Sequence, residues 1–356
     1  MGKTYLTSGE PDLPCASNLK TSFEGKSIFI SGACGSLGSN LLRRLLDTSA
    51  RRIVAFDINQ SKLDDLERHL RDERLRPFLG DVRDARRLRR AIEGCDIILH
   101  CAALKIIPSC EYNPTEAIAT NVLGSQNMIE CAIDAEPEIV IGISSDKACA
   151  PLNLYGATKL CMEKLFTASN FFKGKRKTIF SCVRYGNVLG SSNSVIQLWK
   201  EQLKLGQPLA VTNPEMTRFS VTLDEAVDLV FRVASKAIGG EVFVPKLRAY
   251  GLQELIEAFK ELSGRHVSIV RTGERPGEKL HEVLINEHEM RLAFYDGTDY
   301  VILPDTNFWA TFGLQYDMHK MTSLNDSKKP YSSADAEKMT ARELRELLAR
   351  ELVLDT

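Results

Sequence analysis

The sequence lacks any long run of apolar residues. None of its 356 residues lies in a stretch that approaches the roughly 18 consecutive apolar positions of a membrane-spanning helix. The polar amino terminus has no apolar core of a secretory signal. It begins with Met-Gly but has Leu6 where a myristoylation signal requires serine or threonine. These absences predict a cytoplasmic protein with no membrane partner.

An excess of charge and paired cysteine motifs are also missing. The formal net charge is -1, with acids and bases interspersed, which argues against a general nucleic-acid-binding surface. The nine cysteines are scattered, without a Cys-x-x-Cys pair or a histidine partner. We therefore expect free thiols in a reducing compartment and no metal site.

What the sequence does contain is an alternation of short apolar runs with amphipathic segments. Helical segments are expected between predicted strands at 27–31, 53–57, 77–81, 96–101, 138–144 and 178–184. This alternation predicts an α/β fold in which a Rossmann-like, doubly wound parallel sheet carries a smaller mixed α/β substrate-binding lobe.

The chain divides into four predicted parts. Residues 1–24 are polar and are predicted to form a flexible arm. The dinucleotide-binding domain is predicted over 25–190, with returning segments near 215–245. Residues 191–320 are assigned to the substrate lobe, including strands at 241–244 and 300–303. The last part, 321–356, is predicted to be a loose tail followed by an amphipathic helix.

A glycine-rich turn follows the first predicted strand. Gly32, Gly35 and Gly38 have the spacing G-x-x-G-x-x-G and precede a helix predicted at 40–46. Glycines permit a tight turn and let the backbone approach a pyrophosphate at the helix N-terminus. The turn therefore predicts a dinucleotide site.

Asp57 ends the second predicted strand, close to the expected ~20 residues beyond the glycine turn. A carboxylate there accepts hydrogen bonds from the ribose hydroxyls and repels a 2′-phosphate, which favours NAD over NADP. An N-cap for the following helix is the structural alternative. Lys62 and Arg68 lie nearby and leave NADP open.

The segment from Ser145 to Lys159 carries the candidate catalytic residues. Tyr155 and Lys159 are four positions apart on a predicted helix and share one face. A nearby ammonium group favours the phenolate, which can accept a hydroxyl proton. Asp146 and Lys147 follow the fifth strand, where open α/β sheets bind ligands. An ion pair that merely holds the strand end is the alternative for these two residues.

Two arginines in the second half of the chain suit a diphosphate. Arg218 lies in the motif Met-Thr-Arg-Phe, and Arg275 begins the motif Arg-Pro-Gly-Glu-Lys. Guanidinium groups bind phosphate oxygens in a bidentate manner. Surface ion pairs explain both arginines equally well.

Taken together, these motifs resemble the extended short-chain dehydrogenase/reductase family, and more narrowly its soluble, C5-inverting UDP-N-acetylglucosamine 4,6-dehydratases. The resemblance covers about residues 25–310 and retains Tyr155, where the membrane-anchored retaining branch usually has methionine. It is carried by HCAALK at 100–105, EYNP at 111–114, SDKA at 145–148 through Lys159, RYGNV at 184–188, MTRF at 216–219 and RPGEKLHE at 275–282.

The resemblance implies a larger set of site residues. Its cofactor-binding residues in this sequence are Gly32, Cys34, Gly35, Ser36, Leu37, Gly38, Asp57, Asp81, Val82, Ala102, Ala103, Lys105, Asn121, Ser144, Tyr155, Lys159 and Tyr185. Its substrate-binding residues are Lys105, Asn187, Val195, Met216, Thr217, Arg218, Arg275 and Glu278. It also implies a UDP-sugar substrate, NAD as cofactor with NADP as the alternative, and a homo-oligomer.

The implied reaction is an internal redox dehydration of a hexose. Tyr155, helped by Lys159, takes the carbon-4 hydroxyl proton while hydride moves to NAD, and Ser145 hydrogen-bonds the carbon-4 oxygen. Lys147, neutral because it is buried near Lys159, abstracts the carbon-5 hydrogen. A protonated Asp146 releases the carbon-6 hydroxyl, and hydride returns to carbon-6.

Three other functions remain open at this point. A C5-retaining dehydratase uses the same chemistry with another stereochemical outcome. A sugar 4-epimerase needs the tyrosine and lysine but no second acid and base. A catalytically idle NAD-binding regulatory or scaffold protein would keep the fold alone.

Overall fold

The computed structural model describes residues 23–188, 194–264, 267–305, 315–327 and 329–353. The predicted flexible arm, residues 1–24, lies outside the described residues except for its last two positions. Phe23 is fully buried, and its ring centroid lies 4.4 Å from that of Phe231. Phe23 therefore packs against the domain, although it lies in the segment that is predicted to be an arm.

Six parallel strands form the centre of the main sheet. They are β1 Ser27–Ser31, β2 Arg52–Asp57, β3 Leu75–Leu79, β4 Ile97–His100, β5 Ile139–Ile143 and β6 Ile179–Val183. Their order is β3-β2-β1-β4-β5-β6, and each neighbouring pair is parallel. This is the strand order of a doubly wound dinucleotide-binding sheet, so the predicted fold class is confirmed.

Helices cover both faces of these strands. They are α1 Ser36–Leu46, α2 Gln60–Leu70, α3 Ala85–Ile92, α4 Ile107–Tyr112, α5 Pro114–Ile118, α6 Gly124–Ala135 and α7 Leu154–Phe172. A π-helical segment, Ala119–Leu123, joins α5 to α6. Helix α1 begins at Ser36 rather than at residue 40, because the chain turns into the helix directly after Gly35.

The remaining strands are shorter. They are β7 Asn187–Val188, β8 Leu209–Val211, β9 Thr217–Val221, β10 Val242–Pro245, β11 Arg248–Gly251, β12 Ile269–Arg271, β13 Val283–Ile285, β14 Ala293–Tyr295, β15 Asp299–Ile302, β16 Thr322–Ser323 and β17 Tyr331–Ser332.

Four of these strands extend the main sheet to ten, in the order β16-β14-β15-β10-β6. Strand β10 pairs parallel with β6, and β15 pairs antiparallel with β10. The prediction that the strand at 300–303 belongs to the substrate lobe is therefore wrong. The strand at 241–244 lies in the main sheet, as predicted for the returning segments near 215–245. The apolar residues of the two strands cover the edge of β6 that would otherwise be left unpaired.

The smaller lobe is built on the sheets β11-β9-β7 and β12-β8. Its helices are α8 Val195–Lys204, α10 Leu252–Ser263 and α11 Ala341–Val353, whereas α9 Leu223–Lys236 returns to pack on α1. A separate apolar core includes Trp199 and Phe259, whose ring centroids are 5.4 Å apart, and Leu344 and Leu348 of α11. The predicted closing helix is thus present and packed.

The segment before α11 is not the loose tail that the sequence predicts. Strand β16 pairs with β14, and β17 pairs with β13. Ser333 is fully buried, and its hydroxyl accepts a hydrogen bond from the backbone of Glu282 at 2.9 Å. Backbone pairing therefore fixes this polar sequence despite its low apolar content.

Two further observations concern the described part of the chain. Its eight cysteines are all free. Within the same ranges, no helix is both long and apolar enough to cross a membrane.

Candidate active site

A cavity of about 1370 Å³ runs along the carboxyl ends of the parallel strands and under the smaller lobe. Nearly all of the predicted site residues line it, namely Gly32, Cys34, Gly35, Ser36, Leu37, Gly38, Asp57, Asp81, Val82, Ala102, Ala103, Lys105, Ser144, Ser145, Asp146, Lys147, Tyr155, Lys159, Tyr185, Asn187, Val195, Met216, Arg218, Arg275 and Glu278. The volume exceeds the usual range for a single small ligand. Two ligands side by side therefore fit this cavity.

The glycine turn shapes the dinucleotide end of the cavity. Gly32 has a φ of 67°, and a Cβ atom there would lie 2.9 Å from the backbone of Ala102. A side chain at this position is therefore excluded by backbone conformation and by space. Gly35 forms the N-cap of α1 and has no side chain to compete with an anion for the N–H groups of the first turn.

Asp57 is held at the end of β2 by backbone donors. The N–H of Cys34 donates to Asp57 Oδ2 at 2.9 Å, and the N–H of Asn59 donates to Oδ1 at 3.0 Å. Asn59, not Asp57, caps the following helix, because its side chain accepts a hydrogen bond from the N–H of Lys62. The N-cap alternative for Asp57 is therefore excluded, and its carboxylate faces the cavity beside the glycine turn.

Two cysteines also line the cavity, and both remain thiols. Burial, followed by the charge of Asp57, raises the pKa of Cys34 to about 12. Burial raises the pKa of Cys101 to about 12 as well. Because the thiolate is the reactive species, neither side chain is suited to nucleophilic catalysis.

Asn121 does not line the cavity, in contrast to the prediction. Its amide donates to the backbone oxygen of Leu104 at 2.9 Å and to Thr158 Oγ1 at 3.0 Å, and its Oδ1 accepts from the N–H of Leu104 at 2.8 Å. The π-helical segment turns this side chain inward. Asn121 therefore holds the loop after β4 against α7. The loop lines the cavity, whereas Asn121 does not.

Thr217 is the second predicted residue that points elsewhere. Its hydroxyl is within hydrogen-bond distance of His281 Nδ1 at 2.8 Å and of Ser333 Oγ at 2.7 Å. Neighbouring positions of a strand face opposite sides, and it is Met216 and Arg218 that line the cavity. Thr217 thus ties the smaller lobe together and does not reach the substrate space.

Helix α7 presents the tyrosine and the lysine on one face. Asn153 caps the helix by accepting a hydrogen bond from the N–H of Gly156 at 2.8 Å. Tyr155 and Lys159 follow at a spacing of four, and both are buried. The Lys159 ammonium donates to the backbone oxygen of Ile143 at 2.7 Å. The helix is therefore fixed against the end of β5.

The predicted electrostatic coupling between Lys159 and Tyr155 is not what the structure has. Burial raises the pKa of Tyr155 to about 12, and the groups that oppose this shift are the Lys147 charge and a hydrogen bond with Ser145. Burial lowers the pKa of Lys159 to about 8. Tyr155 is consequently a neutral phenol, and Lys147 is the cation that acts on it.

Asp146 and Lys147 form a buried ion pair directly after β5. The Lys147 ammonium lies 3.0 Å from Asp146 Oδ1 and donates to Asn187 Oδ1 at 3.0 Å. The hydroxyl of Ser145 donates to the same Asp146 oxygen at 2.7 Å. The chain Tyr155–Ser145–Asp146–Lys147 is thus a continuous hydrogen-bonded network on the wall of the cavity.

The net shift in the pKa of Lys147 is opposite to the predicted one. Burial alone lowers the pKa of Lys147, but the negative charges of Asp146 and Glu282 outweigh it, and the net pKa is raised. Lys147 therefore carries a proton in the resting state. Any role as a base requires that this proton first moves to another group.

Positive side chains face the part of the cavity beyond this network. The Arg218 guanidinium is largely buried, with Nε 3.8 Å from Glu282 Oε1. Arg275 and Glu278 line the cavity at its outer end. Burial, and then the charge of Lys147, lowers the pKa of Lys105. This concentration of cations suits an anionic ligand such as a diphosphate.

Glu282 lies beside the site, and no role for it was predicted from the sequence. Its side chain is buried and lies 3.9 Å from the Lys147 ammonium. Its position was a possible signal, because Glu282 is the last residue of the motif 275–282. Its proximity to Lys147, however, depends on the folded chain. Tyr250 and Trp199 also line the cavity, and nothing in their local sequence distinguishes them from core residues.

The residues present fit a dinucleotide. Ser144 is buried on the cavity wall, and its hydroxyl has no hydrogen-bond partner among the residues that the structure describes. Such an orphaned group is expected to find its partner in a ligand. The Gly32 turn and the Asp57 carboxylate supply the pyrophosphate and ribose ends. The described ranges contain no cluster of three or more histidine, cysteine or carboxylate side chains that could hold a metal ion.

The sequence of this chain matches a known family over most of its length. Residues 28–302 match the family described as polysaccharide biosynthesis protein. The uncharacterized membrane protein MJ1061 of Methanocaldococcus jannaschii is 47% identical over 275 residues, which are 75% of this chain and 83% of that protein.

Relatives with named activities fall into two kinds. The UDP-N-acetylglucosamine 4,6-dehydratase (inverting) of Campylobacter jejuni is 38% identical over 285 residues, 79% of this chain and 84% of that protein. The UDP-glucose 4-epimerase of Rickettsia prowazekii is 36% identical over 334 residues, 92% of this chain and 96% of that protein.

Solved structures agree with this grouping. The X-ray structure of Pen from Bacillus thuringiensis has a TM-score of 0.85 and 34% identity, and covers 93% of this chain and 99% of that chain. MoeE5 in complex with UDP-glucuronic acid and NAD has a TM-score of 0.62 and 25% identity, and covers 71% of this chain and 87% of that chain. The cofactor in that complex is the one predicted here from Asp57. The family match, the relatives and the fold together show that this chain is a member of the extended short-chain dehydrogenase/reductase family, in its group of nucleotide-sugar dehydratases and epimerases.

Proposed function

We propose that this protein is an NAD-dependent nucleotide-sugar 4,6-dehydratase, with UDP-N-acetylglucosamine as substrate and inversion at carbon-5. One observation carries the proposal. The Asp146–Lys147 pair lies in the same hydrogen-bonded network as Tyr155 and faces the same cavity. Oxidation at carbon-4 needs only the tyrosine, whereas elimination of water needs a second acid and base.

Residues of the chain would hold NAD by its two ends and its centre. Gly32 and Gly35 admit the pyrophosphate, Asp57 accepts hydrogen bonds from the ribose hydroxyls, and Ser144 faces the nicotinamide region. The cofactor, when bound, would supply the hydride chemistry that links carbon-4 and carbon-6. Lys62 lines the same end of the cavity, but the Asp57 carboxylate disfavours a 2′-phosphate.

The network offers a path for the carbon-4 hydroxyl proton. Tyr155 takes this proton as its own phenolic proton passes to Ser145, and Ser145 passes its proton to Asp146. No free phenolate has to accumulate, which agrees with the pKa of about 12 for Tyr155. The relay leaves Asp146 as a carboxylic acid, the form that protonates the departing carbon-6 hydroxyl.

Lys147 removes the carbon-5 hydrogen, which the carbon-4 ketone has made acidic. Its ammonium must give up a proton before this step, because its pKa is raised in the resting protein. Asn187, which accepts a hydrogen bond from Lys147 at 3.0 Å, keeps the amine directed along the cavity wall. Tyr155, Lys147 and Asp146 thus act at carbons 4, 5 and 6, respectively. Arg218 and Arg275 bind the diphosphate.

A nucleotide-sugar 4-epimerase is the second candidate, favoured by the Rickettsia relatives and their longer alignment. A 4-epimerase changes configuration at carbon-4 without losing water, so the mass of the product separates the two activities. A dehydratase that retains the carbon-5 configuration differs only in the stereochemistry of its product.

The proposal is tested by incubating the protein with NAD and UDP-N-acetylglucosamine in deuterated water. We expect a product that has lost one water molecule and carries solvent deuterium at carbon-5, as read by mass spectrometry and NMR. A product of unchanged mass, or a dehydrated product without deuterium at carbon-5, contradicts it.

Variants separate the two halves of the reaction. Lys147→Met is expected to retain oxidation at carbon-4 but to lose water elimination by about 10²–10⁴-fold, so reduced cofactor accumulates on the protein. Asp146→Asn can neither accept the proton of the relay nor release the carbon-6 hydroxyl, so it is expected to be impaired in both halves. Tyr155→Phe is expected to lose both halves. The exposed Glu287→Gln is a control that should match the wild type. Full dehydration by the Asp146 and Lys147 variants would refute their assigned roles.

A further inference from the structure

Glu282 is a buried carboxylate with one oxygen that no described group satisfies. Its backbone N–H donates to Ser333, and the side chain is 5% exposed. Oε2 has no hydrogen-bond partner within the described ranges. An unsatisfied buried carboxylate oxygen costs stability. A structural role in which Glu282 only neutralises its neighbours does not account for this orphaned oxygen.

Two cations lie close to Glu282 but not in direct hydrogen-bond contact with it. Its Oε1 lies 3.9 Å from the Lys147 ammonium and 3.8 Å from Arg218 Nε. Asp146 and Lys279 also act on it electrostatically. Burial first, and then the charge of Asp146, raises the pKa of Glu282. Glu282 thus binds a proton more readily than an ordinary glutamate.

A second, smaller cavity fills the gap between these groups. It has a volume of about 100 Å³ and is lined by Lys147, Asn187, Arg218, Lys279 and Glu282, among others. A water molecule occupies about 30 Å³ of liquid, so the cavity has room for about three. Its polar walls give each water the partners that it needs. A water bridge can therefore join Lys147 to Glu282 across the 3.9 Å gap.

We propose that Glu282 is the group that takes the resting proton of Lys147, through water in this cavity, and so converts Lys147 into the base of the elimination. This inference rests on the proposed dehydratase function. Glu282 does not touch the substrate and acts through Lys147, so it is a positioning residue for the proton. Glu282 is better suited to this role than Asp146, because Asp146 receives the proton that arrives from carbon-4.

The protons balance over one turnover. The Lys147 ammonium gives one proton to the Glu282 carboxylate, which leaves a neutral amine and a carboxylic acid. The amine removes the carbon-5 proton, the carbon-5 electron pair forms the double bond to carbon-6, and the carbon-6 oxygen leaves as water with the proton from Asp146. After hydride reaches carbon-6, carbon-5 takes a solvent proton on the face opposite Lys147, which inverts its configuration. Lys147 is already an ammonium again, and Glu282 releases its extra proton to the water of the smaller cavity.

The test compares Glu282→Gln with the wild type and with the exposed control Glu287→Gln. Glutamine keeps the shape but cannot take up the proton. We expect Glu282→Gln to bind NAD and to oxidise carbon-4 as the wild type does, to accumulate reduced cofactor, and to lose kcat for water elimination by about 10²-fold, with KM little changed. The acid limb of the pH profile of kcat, where protonated Glu282 cannot accept the proton, should disappear in the variant.

A shorter carboxylate provides a second variant. Glu282→Asp keeps the proton acceptor at a longer distance, so its kcat should lie between those of Glu282→Gln and the wild type. If Glu282→Gln fails to fold, as judged by NAD binding and thermal unfolding, the kcat of Glu282→Asp tests the inference by itself. A kcat equal to that of the wild type in whichever variant folds, or an equal loss of carbon-4 oxidation and elimination, overturns the inference.

The two proposals fail in different ways. If wild-type protein eliminates water but the Glu282 variants do so equally well, the role of Glu282 is wrong and the dehydratase function stands. If wild-type protein eliminates no water from the sugar, the proposed function fails, and the role of Glu282 fails with it.

Discussion

His100 is the last residue of β4, and its imidazole is completely buried. The ring lies between Ser31 of β1 and Ser125 of α6. Ser31 Oγ lies 2.8 Å from Nδ1, and Ser125 Oγ lies 3.0 Å from Nε2. The Ser125 hydroxyl donates to the backbone oxygen of Asn121 at 2.7 Å, so it accepts from His100. A neutral ring with its proton on Nε2 satisfies every group in this chain. His100 thus joins the strand before the glycine turn to the segment that carries Asn121.

Burial therefore makes His100 a source of acid sensitivity. Burial, followed by the charge of Lys159, lowers the pKa of His100 to about 3, whereas an unfolded histidine has a pKa of about 6.5. A lowered folded-state pKa means that its contribution to stability is complete above about pH 6.5 and is lost as the pH falls towards 3. We expect the free energy of unfolding to fall by about 1.4 kcal/mol per pH unit in that window from this residue.

Urea unfolding at several pH values between 7.5 and 4 measures this effect. His100→Gln is expected to be less stable at neutral pH but to show a smaller loss on acidification than the wild type. The exposed His69→Gln serves as the matched control and should follow the wild-type curve. An unchanged pH slope in His100→Gln would show that other groups cause the acid sensitivity.

At the scale of one element, the turn between β1 and α1 is fixed by a close approach of two backbones. Gly32 has a φ of 67° and would place a Cβ 2.9 Å from the Ala102 backbone. Gly25 has nearly the same φ, 68°, and nothing within 4 Å of its Cβ position. The two positions thus share the left-handed strain and differ in the contact.

Alanine at each position separates these two effects. Gly25→Ala is expected to cost about 1–2 kcal/mol of stability through backbone strain alone, with an unchanged Kd for NAD. Gly32→Ala should cost more, and it should weaken NAD binding by at least about tenfold, because the turn must move away from Ala102. Denaturant unfolding and calorimetric titration with NAD measure the two quantities. Equal NAD affinity in both variants would contradict a role for the close approach.

At the scale of the whole molecule, a buried arginine joins the parallel sheet to the last third of the chain. Arg184, directly after β6, lies 2.6 Å from Glu163 of α7 and 2.8 Å from Glu289. Its guanidinium also donates to the backbone oxygen of Leu284 at 2.8 Å. The segment of Leu284 also contains Glu282, so this network places the carboxylate of the smaller cavity relative to helix α7.

Removing this arginine takes away the cation that pairs with two carboxylates, Glu163 and Glu289. Arg184→Met is expected to lower the free energy of unfolding by about 3–5 kcal/mol, because Glu163 is buried and would remain as an unpaired charge. The double variant Arg184→Met with Glu163→Leu should recover part of this loss. Arg342→Met, which removes an exposed pair with Glu346, is the control and should unfold like the wild type. Urea unfolding decides, and a wild-type midpoint for Arg184→Met would show that the network is not needed for stability.

Some parts of the fold and site were predictable because they depend on neighbours in the sequence. The presence of six parallel strands follows from alternating apolar runs and amphipathic segments, and the Gly32 turn and the Tyr155–Lys159 face follow from spacing. The pairing of β10 and β15 at the edge of the main sheet was not predictable, because the sequence of a short apolar strand does not indicate which strand it pairs with. The same limit applies to Asn121 and Thr217, whose polar side chains find backbone and hydroxyl partners far along the chain.

The sequence alone determined a dinucleotide-binding sheet with a tyrosine, a lysine and an acid-base pair at one strand end. It did so because local periodicity and glycine spacing are short-range properties of the chain. Only the tertiary structure decided which charges meet. Lys147 holds its proton because Asp146 and Glu282, one adjacent and one distant in sequence, lie beside it in a buried space. Charge in such a space is set by distance and burial, which exist only after folding.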